Sequence, residues 1–225
     1  MVDGGAGGEA VRRREIHVPA GSRSLAAILS IPERARGIVI FAHGTGSGRY
    51  SPRNQAVARR LEAGGFATLL LDLLDPAEEY DRRNVFDVEL LAGRLLTASE
   101  WVTKEADTRS LPVAYFGAST GAAAALIAAA RRGERVRAVV SRGGRPDLAG
   151  PWLPSVVSPT LLIVGGEDHQ VLELNDAACT ELRCAKKLIV VPGATHLFEE
   201  PGALEKVADL AADWFGTHIR APAPA

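Results

Sequence analysis

Residues 112–121 read PVAYFGASTG, and they decide the fold. An apolar strand runs into Gly117-Ala118-Ser119-Thr120-Gly121 and straight on into the helical pattern AAAALIAAARR at 122–132. A serine on so abrupt a strand-to-helix turn is forced into a strained backbone, which only small flanking residues permit, and its hydroxyl projects from the sheet edge. The pattern G-x-S-x-G alone arises by chance roughly 0.1 times in a chain of this length and composition, so the specificity lies in the strand before it and the helix after it. Ser119 is the candidate nucleophile.

Outward from this turn, apolar strands alternate with helical patterns, which predicts an α/β protein with a mainly parallel sheet covered on both faces. Glu15–Val18 and Leu25–Ile31 read as an opening antiparallel pair around Ala20-Gly21-Ser22. Gly37–Ala42 is the first fully buried strand, and Ser51-Pro52 supplies an N-cap and a first-turn proline for a helix that ends at Gly64-Gly65. Phe66–Leu73 is the next strand. Asp75-Pro76-Ala77-Glu78 has the form of a capping box, followed by the helix stripe Val88, Leu91, Leu95, Ala98 and Val102. Beyond the serine come strands at Val136–Val140, Thr160–Val164 and Leu188–Val191, a helix over about 171–183, and an amphipathic closing helix, Ala203–Ile219. Residues 15–220 read as one domain between a Gly-rich tail, 1–14, and a Pro-Ala-rich tail, 221–225, both expected to be mobile.

With 225 residues and 47% hydrophobic content the chain is able to bury a full core unaided. A net charge of −1 gives no electrostatic case for nucleic acid or an anionic membrane. Cys179 and Cys184 have neither a C-x-x-C nor a zinc spacing, no H-E-x-x-H occurs, and a disulfide framework is excluded, so neither metal nor cofactor is expected. MVDGGAGGEAVRRR lacks an apolar h-region and no run of 18 apolar residues occurs; a cytoplasmic location without a membrane anchor is the expectation.

A nucleophilic serine needs a general base and a carboxylate that orients it. Of five histidines, His196 sits directly beyond the last strand, where a loop is able to lay its imidazole over Ser119. Asp168, after LLIVGGE, lies one strand earlier and is the expected acid; Asp147 and the adjacent Glu167 are the alternatives. Donors for the developing oxyanion are expected from the backbone N–H of Thr120 and from the loop His43-Gly44-Thr45-Gly46-Ser47-Gly48, with Thr45 as the choice there. That loop matches neither glycine-rich phosphate motif. Arg142 and Arg145, past the strand that follows the nucleophile, and Arg49 and Arg53, beside the oxyanion loop, are candidates for selecting an anionic substrate; bracing of loops is the alternative.

Three stretches, HGTGSGRYSPRN (43–54), GASTG (117–121), and GGEDHQV (165–171) with GATHLFEEPG (193–202), resemble the α/β-hydrolase superfamily. In size and lidless layout the chain is similar to its dienelactone-hydrolase-like branch over about residues 15–220. The resemblance implies a twisted eight-stranded sheet, the triad Ser119, Asp168 and His196, and no cofactor. Dienelactone hydrolases proper use cysteine where this chain has Ser119, so ester hydrolysis is implied but not their particular substrate. SRGGRPDLAG (141–150) is similar to hydrolases of this kind that look fused to a phosphoribosyltransferase module, and no such module is read in these 225 residues. Residues 142–159 offer the main room for a lid and are too few for a helical cap. An open site for small soluble esters, lactones or thioesters is expected, and a non-catalytic ligand-binding protein on the same fold is the alternative. The sequence is silent on oligomeric state.

Overall fold

The computed structural model describes residues 10–219. Eight strands form one sheet: β1 (Val11–Ala20), β2 (Arg23–Pro32), β3 (Ile38–Ala42), β4 (Ala67–Leu71), β5 (Val113–Ala118), β6 (Val136–Arg142), β7 (Thr160–Gly165) and β8 (Lys186–Val191). Their spatial order is β1-β2-β4-β3-β5-β6-β7-β8. The first two pairings, β1 with β2 and β2 with β4, are antiparallel; all the others are parallel. The central strands β3, β4, β5 and β7 are buried at every position, as strands covered on both faces must be.

Among the described residues seven α-helices complete the fold: α1 (Pro52–Ala63), α2 (Pro76–Glu79), α3 (Arg82–Phe86), α4 (Val88–Val102), α5 (Thr120–Arg132), α6 (His169–Glu181) and α7 (Ala203–His218). Two separate cores flank the sheet. One joins α4 and α5 to residues such as Ile40, Leu69 and Tyr115, and the other joins α1 and α7 to Val39, Phe41 and Phe116. Helix α5 is buried from Thr120 through Ala129. Its run of alanines lets it lie close against the sheet beneath the serine.

Close approach also explains the glycines of the turn. A Cβ on Gly117 would lie 2.5 Å from the Ala122 Cα, and one on Gly121 would lie 2.1 Å from the Ala42 carbonyl oxygen and 2.5 Å from that of His43. Those carbonyls belong to the fully buried end of β3 and have no room to retreat. Gly121→Ala is therefore expected to cost about 3 kcal/mol, the upper end of overpacking effects, measured as a lower urea midpoint at unchanged m-value. A midpoint equal to that of the unaltered chain would refute this account of the packing.

One expectation is corrected. The N-terminal tail does not extend to residue 14, because β1 begins at Val11, paired with Pro32, and continues in register to Ala20 opposite Arg23. Residues 11–15 are exposed, so no apolar periodicity announces them; backbone pairing with β2 and ion pairs from Arg12 to Asp107 and from Arg14 to Glu105, each 2.9 Å, hold them. Residues 1–9 of that tail, and the expected tail 221–225, lie outside the described residues. The expected capping box is present, and the helix it opens, α2, is one turn long. Asp75 Oδ1 accepts from the backbone N–H groups of Ala77 and Glu78, both at 2.9 Å, and Glu78 returns the bond to the N–H of Asp75. Asp81 and Asp87 then cap α3 and α4 in turn, because an acceptor side chain that satisfies first-turn N–H groups restarts a helix in a new direction. Residues 76–86 thus form an arch of two short helices.

Candidate active site

Ser119 links the last residue of β5 to the first of α5 with φ 52° and ψ −124°. Among the described residues only Ser119 and Phe198 combine a side chain with positive φ. Strain of this kind persists only where surrounding bonds over-determine the backbone. Here the Ser119 N–H donates to the Arg142 carbonyl (3.3 Å), while the Ser119 carbonyl accepts from the N–H groups of Ala122 (3.1 Å) and Arg145 (3.0 Å).

The loops after β7 and β8 bring Asp168 and His196 together. Asp168 Oδ2 lies 2.6 Å from His196 Nδ1. The approach needs Gly165, where a Cβ would lie 2.3 Å from the Ala194 carbonyl oxygen, and it is pinned by the Glu167 N–H, which donates to that carbonyl at 3.0 Å. The Glu167 side chain itself is exposed. Asp147, the other alternative, is engaged elsewhere: Arg145 grips both of its oxygens at 2.8 Å. His196 and Ser119 border one cavity of about 180 Å³ together with Gly44, Thr45, Arg53 and Arg142. Among the described residues no hydrogen bond joins Ser119 to His196; contacts between nucleophile and base commonly tighten when substrate binds.

The oxyanion-side loop is shaped by a residue whose part the sequence did not reveal. His43 is buried, and its Nε2 accepts from the Leu73 N–H at 3.0 Å while its Nδ1 donates to the Gly44 carbonyl at 2.9 Å. Both bonds together require the neutral ring with the proton on Nδ1. His43 thereby positions Gly44, whose missing side chain is needed because a Cβ would lie 2.8 Å from that of Ser119. Its place directly before the glycines, at the end of a fully buried strand, was the available signal. Thr45 and Thr120 meet, their hydroxyl oxygens 3.4 Å apart. The Thr120 N–H opens α5, where the first turn leaves amide donors without intrahelical partners.

The four arginines separate sharply. Arg49 is tied to Asp72, and Arg145 to Asp147, so the expectation that Arg145 faces substrate is corrected: a guanidinium held at both ends of a carboxylate two residues away braces its own loop. Arg53 borders the Ser119 cavity and bonds Glu199 at its edge, 3.2 Å away. Arg142 borders the same cavity at 7% exposure, its Nε and Nη1 have no partner among the described residues, and its guanidinium carbon stands 5.9 Å from the centre of the Phe198 ring. Burial, with some help from the Arg53 charge, pushes its pKa down to about 10, so it is still a cation at neutral pH.

A second cavity, of about 320 Å³, adjoins the first across Gly44 and Thr45, which border both. Its walls are Leu74, Val85, Phe86 and Leu91, and Glu79 and Arg82 stand at its rim. The overhanging segment is the arch of α2 and α3. Residues 146–155, where room for a lid was expected, instead form a 3₁₀ segment that buries Ala149 and Leu153 in the core of α4 and α5. Among the described residues no three His, Cys, Asp or Glu side chains are grouped as metal ligands, and no helix is long and apolar enough to cross a membrane.

No protein-family model matches the chain. Proteins of two Mycobacterium tuberculosis strains, named "Putative phosphoribosyl transferase", are 61% identical to it over 214 residues, which are 95% of this chain and 48% of theirs. The chain thus spans about half the length of the curated relatives it matches. Among solved structures, Est1E from Butyrivibrio proteoclasticus shares the fold at a TM-score of 0.78 and 18% identity, over 91% of this chain and 98% of that one. The dienelactone hydrolase from Anabaena variabilis is 53% identical with a TM-score of 0.91, over 93% of this chain and 99% of that one. Identity at that level across nearly the whole of both chains, on this sheet and with this strand-to-helix turn, places the chain in the dienelactone-hydrolase-like branch of the α/β-hydrolases.

Proposed function

We propose that the chain is a serine hydrolase that cleaves small carboxylic esters, lactones or thioesters through an acyl-enzyme on Ser119. The observation that carries this reading is the strained Ser119 bordering one cavity with His196, whose far nitrogen is bonded to Asp168. In the reaction Ser119 Oγ attacks the carbonyl carbon as His196 Nε2 takes the hydroxyl proton. Asp168 holds Nδ1–H and stabilises the imidazolium, and the N–H groups of Thr45 and Thr120 receive the oxyanion. The carbon–oxygen or carbon–sulfur bond breaks as Nε2 returns the proton to the leaving group. Water then repeats the sequence, releasing the acid and restoring Ser119.

Reaction with a fluorophosphonate probe tests the reading. The expected result is rapid, single-site phosphonylation mapped to Ser119 by mass spectrometry. An unlabelled Ser119 in the folded chain would favour a non-catalytic ligand-binding role.

Arg142 supports a narrower substrate class within this reading. Arg142 borders the Ser119 cavity, is 7% exposed and pairs with no carboxylate among the described residues, so an anion bound in the cavity would offset the cost of burying its charge. The substrate then carries a carboxylate or similar negative group near the ester, with Arg53 as a second contact. Arg142→Gln is expected to raise KM for an anionic ester about 10- to 100-fold and that of its neutral analogue by about 2-fold at most. Equal effects on both substrates would assign Arg142 to loop support instead.

A further inference from the structure

The cavity beneath α2 and α3 has no part in the steps above, yet its position ties it to them. Gly44 and Thr45 form a shared wall, so a group in this cavity lies one loop away from the carbonyl that Ser119 would attack. The chemistry of the two sides differs. The Ser119 cavity carries Arg53 and Arg142, whereas Leu74, Val85, Phe86 and Leu91 make the neighbouring walls apolar. Glu79 and Arg82, of opposite sign, stand at its rim beside solvent. An apolar ligand group there loses water without stranding a polar one.

The geometry points to this cavity as the subsite for one apolar arm of the ester, a ring with a substituent or a medium-length alkyl chain, selected by the arch of α2 and α3. The inference rests on Ser119 being the nucleophile. Size supports it: an apolar cavity of about 150 Å³ holds one benzene ring, and this one is about 320 Å³. A long lipid chain would outgrow it.

The arch allows a test, because α3 has no fully buried residue, though Val85 packs against the core of α4 and α5. The full chain is assayed on two ester series, one varying the acyl chain on a fixed phenol and one varying the alcohol of an acetate. In one of them kcat/KM is expected to rise about 4-fold per methylene until the cavity fills, the transfer value for a buried CH₂. Val85→Trp should abolish the rise, with a urea midpoint recorded beside it to show that the variant is folded. Phe86→Ala should move the limit to longer chains. Flat profiles in both series, or a rise that Val85→Trp does not change, would overturn the inference. Fluorophosphonate labelling of each variant separates the two readings: a labelled Ser119 with flat profiles sinks the subsite alone, whereas an unlabelled Ser119 in the unaltered chain sinks the hydrolase reading beneath it.

Discussion

Ser119→Ala is expected to lower kcat for a small activated ester by about 10⁴- to 10⁶-fold and to abolish fluorophosphonate labelling. The size of the effect follows from the role. Without the hydroxyl no acyl-enzyme forms, and only substrate binding and the oxyanion donors remain to assist attack by water. The fold should survive, because the backbone bonds at this position run through the Ser119 N–H and carbonyl and not through the side chain. Alanine keeps the same positive φ and its strain, so the thermal midpoint should stay close to that of the unaltered chain. Turnover is to be measured by burst and steady-state kinetics on the folded variant. Activity that survives the substitution would remove Ser119 from the mechanism, and labelling that survives it would place the reactive serine elsewhere.

The second large effect concerns the carboxylate. Asp168→Asn should lower kcat by about 10⁴-fold, the cost of presenting the base in the wrong tautomer. The reason is the 2.6 Å contact between Asp168 Oδ2 and His196 Nδ1, which an amide would meet with either a donor or a weaker acceptor. Asp147→Asn should leave kcat nearly unchanged and act on stability, since both of its oxygens serve Arg145. The contrast between the two variants is the measurement that matters. A larger loss from Asp147→Asn would move the acid to the loop after β6.

The glycine and arginine positions show why some features were legible in advance and others were not. Gly117 and Gly121 bracket Ser119 in a pattern confined to five residues, so sequence reading reaches them directly. Arg142, the last residue of β6, and Arg145, in the loop after it, are three residues apart and look alike in sequence. One is buried beside Ser119 with no partner for its Nε and Nη1 among the described residues, while the other is paired with Asp147 and partly exposed. The difference arises from the pairing of β6 between β5 and β7, which sets Arg142 opposite Ala118 on one side and Ile163 on the other. No local pattern records that register.

The strand-to-helix turn at Ser119, the alternation of strands and helices, and the candidates Asp168 and His196 were determined by the sequence itself. Each depends on short-range backbone preference or on position at a strand end. Tertiary structure alone decided which carboxylate meets His196, how far β1 extends, which arginine is left unpaired, and that α2 and α3 arch over an apolar cavity beside Thr45. These depend on contacts between residues distant in the chain, where strand register and the desolvation of charge choose among side chains that local preference leaves equivalent.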